Sequence, residues 1–255
     1  MSGPTERFSS RVENYARYRP SYAGAAIELL AARCGLSATA TVADLGSGTG
    51  ILSAQLLARS AQVFAVEPND AMRNAAEARL GTRAGFHSVR GTAEATGLAD
   101  ESVDLVVAGQ AFHWFDPAAA RCEALRIVRR GGFGALLWNE HPPEGSAFLA
   151  EYQALLLRFV AEFERIAAQR SDEALMREFF GGRMELATFP NPQAYSFEAL
   201  RGRLLSSSYA PEPGHGQYQP LMAALRATFD AHARQGVVEF PYRTLVYFAQ
   251  LTPAE

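Results

Sequence analysis

The stretch Asp44-Leu45-Gly46-Ser47-Gly48-Thr49-Gly50 restricts this chain more than any other. A short apolar run, Thr41 to Leu45, leads into it, and a helical pattern from Ile51 to Arg59 leads out. Glycines there allow a tight turn at positive φ and let backbone N–H groups approach a ligand closely. The spacing is G-x-G-x-G. A pyrophosphate-binding fingerprint, G-x-G-x-x-G, needs its third glycine at position 51, where Ile51 stands, so dinucleotide binding is disfavoured. Taken alone, the loop reads either as a structural left-handed turn or as a ligand cradle. Glu67 tips the balance toward a ligand. It ends the next strand-like run, 17 positions after Gly50, close to the roughly 20 expected of a strand–helix–strand unit. A carboxylate there can accept both hydroxyls of a ribose, although an isolated one would simply be a solvated charge at a helix start.

The pattern repeats down the first half of the chain. A helix is expected from Tyr22 to Ala32, a strand over Val63 to Val66, and a helix over Asp70 to Leu80. Strands follow over Phe86 to Arg90 and Val103 to Ala108, then a helix from Pro117 to Arg129 closed by Gly131-Gly132, and a strand over Phe133 to Trp138. Strands alternating with helices imply right-handed crossovers and a mainly parallel sheet covered on both faces. The second half breaks that rhythm. Helices are expected over Ala147 to Ala168, Asp172 to Phe180, Phe197 to Ser206 and Gln219 to Gln235. A strand over Arg183 to Phe189 and a long β-rich segment, Val237 to Leu251, are expected to pair antiparallel, and the extra helices to roof the carboxyl ends of the strands.

Composition removes several function classes. The net charge of −3 provides no general attraction to phosphate backbones, so no nucleic-acid partner is expected. All 24 basic residues are arginine, which excludes a Schiff-base lysine and a phosphate-loop lysine. Cys34 and Cys122 fit neither a disulfide framework nor a four-ligand zinc site, and both read as buried small apolar residues. His87, His141, His215 and His232 lack ligand spacing, so no metal is expected; His141 is a weak pocket candidate beyond the fifth strand. The N-terminal stretch is polar and charged, unlike a secretory leader, and no apolar run is long enough to span a bilayer. The expected location is the cytoplasm, with no membrane contact.

Four segments in order then carry a resemblance. ADLGSGTG, AVEPND, GTAEATGL and SVDLVVAGQAFHWFD resemble the cofactor-binding motifs of class I methyltransferases that use S-adenosylmethionine (SAM). More narrowly, NYARYRPSY and QAFHWF resemble small-molecule methyltransferases of the type 11 group, related to trans-aconitate methyltransferase. The likeness runs from about Asn14 to Asn139. It implies an α/β fold, a doubly wound, mainly parallel, seven-stranded, Rossmann-like sheet. One domain would span residues 1–255, with a SAM-binding core at 14–139 and cap helices at 143–235 interleaved with the last strands. The activity implied is transfer of a methyl group from SAM to a small-molecule acceptor, releasing S-adenosyl-L-homocysteine. A non-catalytic SAM-binding regulator or scaffold is the alternative.

By this likeness, Gly46, Ser47, Gly48 and Gly50 pass beneath the methionine part of SAM, with Asp44 near its amino group. Glu67 grips the ribose, Pro68 and Asn69 flank the adenosine, and Thr92, Ala93 and Glu94 frame the adenine; Glu94 reads equally as a surface carboxylate. Gln110 and Ala111 contact the methionine end. Tyr15, Tyr18 and Arg19 either close over the cofactor, Arg19 pairing with its carboxylate and a tyrosine covering the sulfonium, or merely pack the N-terminal arm. Tyr15 and Trp114 are also candidates for the acceptor pocket, with Phe115. His113 is either a general base, needed only if the acceptor must lose a proton, or a structural residue in an aromatic run. Gln110-Ala111-Phe112-His113 stands where amine-methylating nucleic-acid enzymes carry a D/N-P-P-Y/F turn. Phe148, Tyr152, Phe159 and Tyr209 are further pocket candidates, and Arg201 or Arg203 would face a carboxylate acceptor.

Overall fold

The computed structural model describes residues 11–142, 145–160, 163 and 172–251. Its elements run α1 (Val12–Tyr18), α2 (Gly24–Arg33), β1 (Thr41–Leu45), α3 (Ile51–Leu56), β2 (Gln62–Val66), α4 (Asp70–Leu80), β3 (Phe86–Val89) and β4 (Val103–Gly109). They continue with α5 (Pro117–Ile127), β5 (Val128–Glu140), α6 (Ala147–Phe159), α7 (Glu173–Phe179), β6 (Glu185–Pro190) and β7 (Gln193–Tyr195). The last are α8 (Phe197–Leu205), α9 (Tyr218–His232), β8 (Val238–Phe240) and β9 (Arg243–Gln250). Several helix starts are written in the sequence. The side chains of Asn69, Asp116, Ser146, Asp172 and Ser196 each accept a hydrogen bond from the first turn of the helix they open.

Seven strands form one sheet in the order β3-β2-β1-β4-β5-β9-β6. The first five are parallel, and β9 lies antiparallel between β5 and β6. Alternating side chains feed two cores. Val42, Val63, Leu105, Val107 and Leu137 pack against α2 and α3. Leu45, Val66, Val106, Leu136 and Trp138 pack against α5 and α7. Each such buried aliphatic side chain contributes roughly 1.5–3 kcal/mol. A third core belongs to a cap, where Phe148, Tyr152, Leu200, Leu225 and Phe240 join α6, α8, α9 and the small β7–β8 pair.

Some expectations need correction. Helix α5 stops at Ile127, and Gly131-Gly132 lies inside β5 rather than ahead of it. The β4–β5 pairing jumps from Val103↔Val128 to Leu105↔Phe133, so the glycines belong to a bulge, with Gly131 at φ +82. Val237 to Leu251 is two strands broken at Pro241, and β7 had no sequence signal. The helix expected from Ala147 to Ala168 ends at Phe159, where Val160 turns extended, and its residues 161–162 and 164–168 lie outside the described residues, as do 143–144 and 169–171 of the expected cap. Cys34 is buried, and burial pushes its thiol up to about 12; Cys122 is exposed, contrary to expectation. Among the described residues no helix is long and apolar enough to cross a membrane.

Candidate functional site

Parallel pairing brings the carboxyl ends of β1, β2, β4 and β5 to one edge, so the residues just past them become neighbours. The turn after β1 is held to β2 by Ser47 N–H donating to the Val66 carbonyl at 3.1 Å. Gly46, Gly48 and Gly50 all have positive φ, at +63, +56 and +76. Gly46 has no room for a side chain, since a Cβ would meet the Ala111 methyl at 2.7 Å. Gly48 differs, for nothing lies within 4 Å of where its Cβ would be. It borders a cleft that Asp44, Gln110 and Asn139 also line.

Glu67 faces that turn. Its Oε2 accepts from Gly48 N–H at 2.9 Å and its Oε1 from Asn69 N–H at 2.8 Å. Burial raises its pKa, opposed by those two donors and by Arg73. Asp44 is wholly buried in the same wall. Its Oδ2 accepts from Ser53 Oγ at 2.6 Å, while Oδ1 has no hydrogen-bond partner among the described residues. Burial lifts this carboxyl to about 7, relieved by Ser53 and augmented by the charge of Glu67. A buried carboxyl oxygen without a donor, beside a bare glycine cradle, is able to accept a hydrogen bond from a ligand's ammonium group.

The opposite wall comes from residues far away in sequence. Tyr15, Arg19 and Tyr22 belong to or follow α1, which lies along α8. The Arg19 guanidinium sits 5.0 Å from the Tyr15 ring centroid and donates to Ser206 Oγ at 2.8 Å and Ser207 Oγ at 3.2 Å. Arg11 bonds the carbonyls of Ser207 and Ala210. The segment is thereby fastened to the cap. The hydroxyl of Tyr22 fills the space beside Gly109, where a Cβ would lie 2.4 Å away. Asn139, near the end of β5, donates to the Ser21 carbonyl at 3.1 Å and accepts from Thr244 at 2.6 Å. Arg203 and Tyr242 complete the roof, with Arg203 Nε donating to the Tyr242 hydroxyl at 2.7 Å.

The structure thus brings together Tyr15, Arg19, Asp44, Gly46, Ser47, Gly48 and Gln110 on one cleft. Gln110 adopts φ +55 and reaches the Asn139 carbonyl at 3.1 Å, and Ala111 packs under Gly46. Gly50 caps α3 and Thr49 is buried beside it. Thr92, Ala93 and Glu94 follow β3, whose last residue accepts from Glu67 N–H at 3.0 Å, but none of them lines the cleft. Glu94 instead accepts from Asp116 N–H at 2.9 Å. Pro68 is exposed and Asn69 caps α4. Tyr18 turns away: its ring covers Gly202 and its hydroxyl donates to Glu198 at 3.0 Å. His113 lies between Trp114 and Trp138, with ring centroids at 4.7 and 5.4 Å, outside the cleft walls. Trp114 is 42% exposed there. His141 stacks on Tyr242.

Tyr22, Asn139 and Tyr242 are cleft residues without a sequence assignment. Asn139 carried a usable signal, being the first polar residue after an apolar strand run, as Glu67 and Gln110 are. Tyr242 carried none, because it is placed by the link between β8 and β9.

Part of the chain is similar to known methyltransferases. Residues 43–136 match a protein-family model described as a methyltransferase domain. An uncharacterized methyltransferase of Mycobacterium tuberculosis is 42% identical over 132 residues, 52% of this chain and 51% of its own. The match therefore spans about half the length of that relative. A methyltransferase-like protein of Schizosaccharomyces pombe is 24% identical over 97% of this chain and 96% of its own. A solved protein of Anaeromyxobacter dehalogenans, described as a type II methyltransferase, is 22% identical, with a TM-score of 0.65 covering 93% of this chain and 100% of the other. That last likeness concerns the fold.

Proposed function

We propose that this chain, which carries a methyltransferase domain over residues 43–136, uses SAM to methylate a small molecule. One observation carries the reading: Glu67 and Asp44 flank the Gly46–Gly50 turn, and Asp44 Oδ1 lacks a donor. In this assignment Glu67 takes the ribose hydroxyls, Asp44 the amino group and Arg19 the carboxylate of the cofactor. Backbone of Gly46, Ser47 and Gly48 lies beneath it, Gln110 and Ala111 lie at its methionine end, and Thr92 to Glu94 lie toward the adenine. The bound cofactor supplies a methyl group made electrophilic by a sulfonium sulfur. The chain's own contribution is alignment and exclusion of water, with Tyr15 and Tyr22 closing the side away from the glycines. His113 packs between the rings of Trp114 and Trp138, so we assign it to holding the turn after β4 rather than to proton transfer. A small acceptor suits a cleft roofed by the buried cap and a chain of net charge −3.

Calorimetry with SAM tests the cofactor assignment. Wild type binds, and Glu67→Ala weakens binding by roughly 10-fold or more, as loss of a charge-assisted pair of hydrogen bonds demands. Equal affinity in the variant refutes the ribose role. Conversion of SAM to S-adenosyl-L-homocysteine with an added acceptor separates an enzyme from a non-catalytic binder.

A further inference from the structure

We infer that Thr244 is a positioning residue for the cofactor: its hydroxyl fixes the Asn139 amide and, with it, the backbone of residues 21–23 that carries Tyr22 to the cleft. The inference rests on the preceding reading, that SAM occupies the cleft of Asp44 and Gly48.

Ser21, Tyr22 and Ala23 lead from the N-terminal arm into α2. Side chains from four separate places in the chain take up their backbone groups. The Ser21 carbonyl accepts from Asn139 Nδ2 at 3.1 Å and from Asn191 Nδ2 at 2.8 Å. Tyr22 N–H donates to Gln55 Oε1 at 3.0 Å, and Gln55 Nε2 donates back to the Tyr22 carbonyl at 2.9 Å. Ala23 N–H donates to Thr244 Oγ1 at 3.0 Å. Asn139 comes from β5, Gln55 from α3, Thr244 from β9, and Asn191 from the link between β6 and β7. Held at its backbone in this way, Tyr22 is buried and lines the cleft, with its hydroxyl beside Gly109.

The polarity of the group runs one way. Ser21 presents a carbonyl, which only accepts, and Ala23 an N–H, which only donates. Asn139 and Thr244 bridge the two. Asn139 turns Nδ2 to the carbonyl, so its Oδ1 faces Thr244, whose hydroxyl donates to it at 2.6 Å while accepting from Ala23. Asn191 Nδ2 adds a second bond to that Oδ1 at 3.0 Å. Thr244 is wholly buried, so it acts through these neighbours. A valine there would keep the shape and leave both Ala23 N–H and Asn139 Oδ1 a bond short, a loss that burial makes costly. The bridge also reaches the far side of the cleft, since Asn139 lines it and its carbonyl accepts from Gln110 Nε2 at 3.1 Å. One hydroxyl thereby couples the wall of Tyr22 to the turn of Gln110.

The test compares Thr244→Val, which loses both bonds, with Thr244→Ser, which keeps both. Calorimetry with S-adenosyl-L-homocysteine, melting temperature, and hydrogen exchange over residues 19–26 of the ligand-free protein are read. Thr244→Val is expected to weaken S-adenosyl-L-homocysteine binding by roughly tenfold or more and to speed exchange at Tyr22 and Ala23 by about fivefold or more. Thr244→Ser is expected to stay within about threefold of wild type in both. Val246→Ala truncates a buried side chain two residues along on the same face of β9. It is expected to lower the melting temperature and to leave the affinity within about twofold. Wild-type affinity in folded Thr244→Val overturns the inference, and so does a serine variant as weak as the valine one. An equal loss of affinity in Val246→Ala overturns it too, by giving the effect to general weakening of the strand. If Thr244→Val does not fold, Asn191→Ala decides, because it removes the second donor to Ser21 from a partly exposed link. A loss of about threefold or more supports the inference and unchanged affinity overturns it. Failure of wild type to bind S-adenosyl-L-homocysteine is a separate result that sinks the cofactor reading; exchange at Tyr22 and Ala23 in the ligand-free variants then decides the positioning role alone.

Discussion

Replacing Asp44 with asparagine should move stability and cofactor affinity in opposite directions. The folded carboxyl holds its proton up to about pH 7, because burial outweighs the bond from Ser53, whereas an ordinary aspartate titrates at 3.8. Between those values the native state binds more protons than the unfolded chain, so stability falls as pH rises through that window. The full shift is about 3 units, or about 4 kcal/mol, present above pH 7 and absent below pH 4. Asparagine removes the buried charge but must still satisfy Ser53, so a net gain of roughly 2 kcal/mol at pH 8 is expected, with none at pH 4. For a chain of this size that is a rise of roughly 4–8 °C in melting temperature. SAM affinity should fall by roughly 10- to 100-fold at pH 8, since a charge-assisted bond to the ammonium is lost. In wild type, that affinity should climb as pH passes through about 7, and in Asp44→Asn it should stay flat. Melts from pH 4 to 9, paired with calorimetry, read both quantities. A variant no more stable at pH 8 than wild type, binding SAM equally well, would refute the reasoning.

Other perturbations separate folding from binding. Gly48→Ala faces open space, so it should cost about 1 kcal/mol from its φ of +56 yet weaken SAM binding by more than that loss explains. Melting temperature and calorimetry on one preparation distinguish the two. Glu123 is held down to about 2, first by Arg126 and then by donors from Thr96, against the opposing effect of burial. Its stabilisation is complete above about 4.5 and is lost as pH falls toward 2. Because Arg126 is 37% exposed, roughly 1–2 kcal/mol is expected rather than the full shift. Urea titrations between pH 5 and 3 should show wild type losing stability more steeply than Glu123→Gln.

What could be read from the residues was local or lay at strand ends. Strand β1 and helix α4 fall where apolar period and capping place them, because Asn69 fixes the start of α4 through its own side chain. Asp44 and Glu67 were legible for a similar reason: parallel strands of similar register put their terminal residues side by side. Gly131-Gly132 misled because a glycine pair signals both a helix stop and a strand bulge, and only pairing with β4 decides between them. The three-residue strand β7 exists through its partner β8, with no pattern of its own. Arg203 was one of two arginines in an expected helix; that it rather than Arg201 lines the cleft depends on which face of α8 meets Tyr242.

The place of β9 has a consequence for how the chain acquires its shape. Phe133 pairs with Gln250 and Glu140 with Arg243, contacts that join residues more than 100 positions apart. Until those later residues have been synthesised, the outer side of β5 presents unpaired amides and carbonyls next to Leu136, Leu137 and Trp138. β6 likewise has no neighbour, since β9 alone connects it to the sheet. The nascent parallel half is therefore an open template for strands from other chains, and its vulnerability to aggregation ends only when one late segment slots between two earlier ones.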